Sequence, residues 1–89
     1  MQVFVHRIPG KYLERLNEPD KSHIKNALQG LEQEPPAGDI TPVIGQTGIF
    51  RLKIGSYRAI FRYGTNHILV THIDPRGQVY SKKNKEGKR

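Results

Sequence analysis

Gly48-Ile49-Phe50-Arg51-Leu52-Lys53-Ile54-Gly55-Ser56-Tyr57-Arg58-Ala59-Ile60-Phe61-Arg62 reads as two strands around a tight turn. Apolar residues of one parity alternate with cations of the other, the period of a half-buried strand. Gly55 followed by Ser56 suits a type II′ turn, whose first position needs a positive φ. A two-residue turn sets the register: Ile54 faces Tyr57, Leu52 faces Ala59 and Phe50 faces Phe61. On the other face Lys53 stands across from Arg58, Arg51 beside Ile60, and Arg62 across from Ile49. Like charges placed directly opposite destabilise a sheet. This face therefore asks for an anionic ligand.

On the N-terminal side, Val3-Phe4-Val5-His6 is a short apolar run that reads as a first strand. Pro9 can occupy the first position of a helix, where its missing N–H is no loss, and Tyr12, Leu13 and Leu16 give that helix one apolar stripe ending near Asn17. Pro19 suits a second helix start. Ile24, Ala27, Leu28 and Leu31 follow at the i, i+3, i+4, i+7 spacing of an amphipathic helix, which makes an antiparallel αα-hairpin with the first. Gly30 marks a close approach of that helix to the sheet, and Pro35-Pro36 ends it. Residues 35–47 read as an irregular connection, with Pro42, Val43 and Ile44 covering an edge of the core.

Beyond the hairpin, Gly64-Thr65-Asn66 turns the chain into His67-Ile68-Leu69-Val70-Thr71-His72-Ile73, apolar on both parities, as a strand buried on both faces would be. Asp74-Pro75-Arg76-Gly77 is a turn, and Gln78-Val79-Tyr80 a short last element. The fold class expected is α+β: an N-terminal strand, an antiparallel helical hairpin, then a three- to four-stranded antiparallel sheet with the helices on one face. Residues 1–80 form a single domain, and residues 81–89 a basic, flexible C-terminal tail.

Eighty-nine residues bury only about 60% of their unfolded surface, and with 35% apolar residues and no Trp the core must be thin. The absence of Cys excludes disulfides and thiolate chemistry. No apolar run has the length of a signal peptide or membrane span, so a cytoplasmic protein is expected. The net charge of +7 is uneven: five cations meet six carboxylates in residues 1–39, and ten meet two in residues 40–89. A basic half of this kind suits a polyanion. His6, His23, His67 and His72 lack metal spacing, Gly45-Gln46-Thr47-Gly48 lacks the Lys of a phosphate loop, and Asp39 and Asp74 read as turn carboxylates. Neither a metal nor a small-molecule cofactor is expected. What remains is cationic: Arg51, Lys53 and Arg58 on the hairpin, with Arg76 and the ring of Tyr80 downstream. Clustered Arg forks and a Lys point charge suit phosphate, and a Tyr ring can stack a base. Arg62 is the member most easily read as a solvated surface cation.

The stretch Arg51-Leu52-Lys53-Ile54-Gly55-Ser56-Tyr57-Arg58-Ala59-Ile60-Phe61, an apolar strand, and then Pro75-Arg76-Gly77-Gln78-Val79-Tyr80 resembles the signature of the RelE/ParE toxins of type II toxin–antitoxin pairs. The resemblance spans residues 1–80 and favours the RelE-like branch. It implies a ribosome-dependent mRNA endonuclease, with a catalytic set falling on Lys53, Arg58, Arg76 and Tyr80. Arg51, Arg62, Lys82 and Lys83 are then expected to bind phosphate or RNA. Arg51 stands where that branch often has Lys, and an Arg cannot give up its proton. It can hold a phosphate but not act as base. Lys53, its pKa drawn down by the neighbouring guanidinium groups, is a candidate base and equally a phosphate ligand. The partners implied are a cognate antitoxin, the ribosome and mRNA. Two alternatives stay open: a ParE-like poison of DNA gyrase, and a non-catalytic RNA-binding or degenerate toxin module.

Overall fold

The computed structural model describes residues 1–75. Along them run β1 (Gln2–Val5), α1 (Arg7–Arg15), α2 (Asp20–Gly30), β2 (Asp39–Pro42), β3 (Ile49–Ile54), β4 (Tyr57–Gly64) and β5 (His67–Pro75). The strands form one sheet in the order β1, β5, β4, β3, β2. Pairing is antiparallel except at β1, which runs parallel to β5. The α+β class thus holds, but the five-stranded sheet of the described residues is mixed and includes a strand the sequence did not suggest. That strand comes from the supposedly irregular connection: Asp39–Pro42 pairs with Lys53–Phe50 as an edge. Ile44, expected to cover the core, is 94% exposed.

The β3–β4 hairpin has the register that alternation and turn chemistry require, with Ile54 on Tyr57, Leu52 on Ala59 and Phe50 on Phe61. At the turn φ is +58° at Gly55 and not positive at Ser56, the sign pattern of a type II′ turn. Leu52, Ile54, Ala59 and Phe61 are buried on the inner face, joined by Ile68, Val70 and Ile73 of β5. The helices cover this face, α1 lying against β5 and α2 against β3. They contribute Leu13, Ile24, Leu28 and Leu31. Phe61 stacks on Phe50 with ring centroids 5.8 Å apart, and Tyr63 meets both rings edge-on.

β5 is not buried on both faces. Leu69 is half-buried and His72 exposed. Its apolar residues on both parities have another cause. A bulge opposite Ile60 and Phe61 pairs them with His72 and Val70, so that Thr71 is the extra residue. The side-chain alternation shifts by one there, which brings Ile73 to the same face as Ile68 and Val70.

The helix ends also differ from expectation. α1 opens two residues before Pro9, its first bond running from the Gly10 N–H to the His6 carbonyl at 2.9 Å. Pro9 is tolerated because the first four N–H groups of a helix have no intrahelical acceptor. Pro19 caps α2 from outside rather than starting it. Gly30, the last residue of α2, approaches the connection and not the sheet: a Cβ there would lie 3.3 Å from the Ala37 carbonyl oxygen. The outer edge of β1 is blunted by α2's C-terminal flank, since the Val3 N–H donates to Glu32 Oε2 at 3.2 Å. On the hairpin side, the Tyr57 hydroxyl donates to Asp20 Oδ2 at 2.8 Å, tying β4 to the first residue of α2. That bond raises the Tyr57 hydroxyl above its ordinary pKa.

Two stability measurements follow from this packing. Phe61→Ala empties the centre of the aromatic cluster and should cost about 3–5 kcal/mol, read from urea unfolding. At the start of α2, Glu18 accepts hydrogen bonds from the Ser22 hydroxyl and backbone N–H, which hold its carboxyl below the usual range. A lowered folded-state pKa stabilises above the unfolded value, and that contribution disappears as pH falls through the carboxylate range. Glu18→Gln should therefore reduce the slope of melting temperature against pH in that range and leave it unchanged at neutral and higher pH.

Candidate functional site

With both helices on one side of the sheet, the other face is left open and carries the charged residues of the strands. The register sorts that face into rows running across the strands. One row reads Asp39, Lys53, Arg58, Asp74. The next reads Thr41, Arg51, Ile60, His72. A third holds Ile49, Arg62, Leu69 and Phe4. Neighbours within a row have Cβ atoms about 4.5–5.5 Å apart.

Lys53 does stand across from Arg58. Asp39 flanks Lys53 and Asp74 flanks Arg58, so the row reads anion, cation, cation, anion. Asp39 and Asp74 are not turn carboxylates; both belong to strands. Asp74 also lies near Tyr12, whose hydroxyl is raised above its ordinary pKa first by burial and then by the Asp74 and Asp20 carboxylates.

The hairpin cations differ in setting. Lys53 and Arg62 are exposed, whereas Arg51 and Arg58 are half-buried. The Nε of Arg58 is shielded from solvent, which fixes the fork of its guanidinium more firmly than a long surface chain would be held. The structure therefore brings Arg51, Lys53 and Arg58 together in adjacent rows and sets Arg62 one row further away. Arg76, Tyr80, Lys82 and Lys83 lie outside the described residues. Sequence reading passed over three members of this face. His72 was hidden by its place in an apolar run, Phe4 by its place in a presumed core strand, and Asp39 by the proline-rich connection. Phe4 is 50% exposed and meets His67 edge-on at 5.7 Å.

Among the described residues, no cluster of three or more His, Asp or Glu side chains could hold a metal. No helix there is long and apolar enough to cross a membrane.

This architecture is that of a RelE-type toxin fold. A RelE–RelB complex from the archaeon Pyrococcus horikoshii OT3 superposes with a TM-score of 0.72 at 24% identity, over 86% of this chain and 96% of that one. The RelB–RelE antitoxin–toxin complex of Methanococcus jannaschii gives 0.73 at 17% identity, over 91% and 99%. A RelBE toxin–antitoxin complex from Mycobacterium tuberculosis gives 0.71 at 18%, over 84% and 96%. No curated protein sequence matches at a significant level. The ParE toxin family of type II toxin–antitoxin systems (parDE) matches residues 7–80, and the chain belongs to that family. It is the toxin component of such a pair.

The charge row can be tested directly. Asp39→Asn leaves Lys53 facing Arg58 with one carboxylate fewer and should destabilise the fold by about 0.2–1 kcal/mol at low salt. The loss should shrink as salt is added. In a Lys53→Gln background the same Asp39→Asn change should cost less, and the difference measures the coupling of the pair.

Proposed function

We propose that this toxin is an endoribonuclease that cuts mRNA held in the A site of the ribosome and so arrests translation. The observation that carries the reading is the convergence of Arg51, Lys53 and Arg58 in adjacent rows of a sheet face that both helices leave open. β5 leads from that face to Pro75, one residue before Arg76. RNA supplies its own nucleophile in the 2′-OH, and the protein must orient the phosphodiester, move protons and stabilise charge. Attack of O2′ on the adjacent phosphorus forms the O2′–P bond and breaks P–O5′, leaving a 2′,3′-cyclic phosphate and a free 5′-OH. Arg58 and Arg76 clamp the charge that develops on the phosphoryl oxygens. Arg76 also hydrogen-bonds the departing O5′. Lys53 either takes the 2′-O proton or holds the phosphate, Arg51 binds phosphate, and Tyr80 stacks a neighbouring base. Arg62, Lys82 and Lys83 add salt-sensitive contacts to RNA.

Orientation carries much of the rate in such a site, so naked RNA is a poor substrate and the ribosome is part of the active assembly. The toxin works in the cytoplasm as a single domain over residues 1–80, with residues 81–89 as a basic appendage. Its antitoxin seats a segment in the apolar groove lined by Val3, Val5, Leu13 and Leu28, beside the outer edge of β1. Complexes of RelE with RelB among the structural neighbours support an antitoxin partner.

A second reading, poisoning of DNA gyrase, is favoured by the ParE description of the matching family. One pair of measurements separates the two. Induction in growing cells followed by mapping of RNA 5′ ends should reveal new 5′-hydroxyl ends at codon positions within translated messages, without gyrase-dependent DNA breaks. The opposite pattern selects gyrase, and RNA binding with neither product selects a non-catalytic module. For the site itself, Arg58→Ala should lower the cleavage rate on ribosome-bound mRNA by about 10²-fold or more. A rate equal to wild type would remove Arg58 from the site.

A further inference from the structure

The bulge in β5 aims a residue at the basic face for which the site above has no use. Bulges often re-aim a side chain next to an active site, and this one places Thr71 and His72 together opposite Ile60. Their Oγ1 and Nδ1 atoms are 2.9 Å apart. Thr71 Oγ1 also lies 3.3 Å from the Ile60 carbonyl oxygen, to which it donates. A hydroxyl has one proton to give and lone pairs with which to accept. With that proton directed to Ile60, the bond to His72 is satisfied only if Nδ1–H donates to Thr71. The tautomer is then set, with the proton on Nδ1 and the free lone pair on Nε2.

The position of His72 matches this poise. It is exposed, on the face opposite the helices, and in the same row as Arg51. Arg58 lies diagonally across β4, Asp74 two residues along β5 on the same face, and Lys53 in the row of Arg58 and Asp74. Diagonal neighbours on a sheet are about 7–8 Å apart, within reach of long side chains and of one bound phosphodiester. A neutral imidazole with an available ring nitrogen can accept a proton as a general base. The guanidinium groups of Arg51, Arg58 and Arg62 on this face cannot play that part.

We propose that His72, its tautomer held by Thr71, is the general base of the ribonuclease reaction, an assignment that rests on the ribonuclease reading above. Nε2 takes the proton of the 2′-OH as the O2′–P bond forms. P–O5′ breaks, and O5′ takes a proton from the Lys53 ammonium. Exchange with water returns the proton to Lys53 and removes it from His72. Lys53 is thereby a phosphate ligand and proton donor, and Thr71 a positioning residue.

The test is single-turnover cleavage of mRNA on programmed ribosomes by the full chain, across a pH series. Wild type should lose rate along an acidic limb, where protonation of the imidazole removes the base. His72→Ala should be slower by about 10²–10³-fold, lose that limb, leave ribosome binding unchanged and regain rate with added imidazole. Thr71→Val should be slower by a smaller factor. Independently of activity, ¹⁵N spectra of the neutral ring should show the proton on Nδ1 in wild type, with that tautomer depleted in Thr71→Val. An active wild type with His72→Ala cutting at the same rate and with the same pH profile overturns the role of His72 alone. A wild-type chain that cannot cut ribosome-bound mRNA overturns the ribonuclease reading, and the role with it.

Discussion

The structure depends on one constraint: with so few large apolar residues, the sheet can bury only one of its faces. Leu52, Ile54, Ala59 and Phe61 come to that face by simple alternation, and two short helices suffice to cover them. Everything else about the molecule follows from which residues are left outside. A second helical layer would have closed the far face and made its cations costly to keep, since burying charge without partners is strongly unfavourable. Because no helix of the described residues lies there, Arg51, Lys53, Arg58 and Arg62 can point outward from a stable hairpin.

An open cationic face still has to be compatible with folding. The answer lies at the two strands that flank the hairpin. Asp39 arrives on β2 and Asp74 on β5, each in register with one of the facing cations. Each member of the central pair thus has a carboxylate beside it, while the adjacent row, with Arg51 and His72, carries none. Cations without a carboxylate beside them are thus gathered in one row, next to a row in which each cation has one. Strands, rather than loops, hold these groups.

The bulge in β5 serves packing and site together. The extra residue lets Ile73 join Ile68 and Val70 in the core, and it also frees Thr71 to bond the ring of His72. From the residue string, an apolar run on both parities suggests a strand buried twice. It looks the same as a strand whose alternation slips once. Only the pairing with Ile60 and Phe61 tells the two apart, and with that pairing a histidine moves from a supposed interior to the open face.

The hairpin was legible because its information is local. Alternation fixes which side chains share a face, and the positive φ that Gly55 supplies fixes the turn, so the register from Ile49–Arg62 to Ile54–Tyr57 needed nothing from the rest of the chain. The helical pair was legible for the same reason, through the spacing of Ile24, Ala27, Leu28 and Leu31. The parallel pairing of β1 with β5, the recruitment of Asp39–Pro42 as an edge strand, and the carboxylates beside Lys53 and Arg58 are different. Each joins residues well separated in sequence, and such pairing is set by how the sheet edges are satisfied once the helices have covered the core, not by any local pattern. The sequence by itself determined a basic hairpin and the family it belongs to; tertiary structure decided which carboxylates stand beside which cations, and that His72 stands among them.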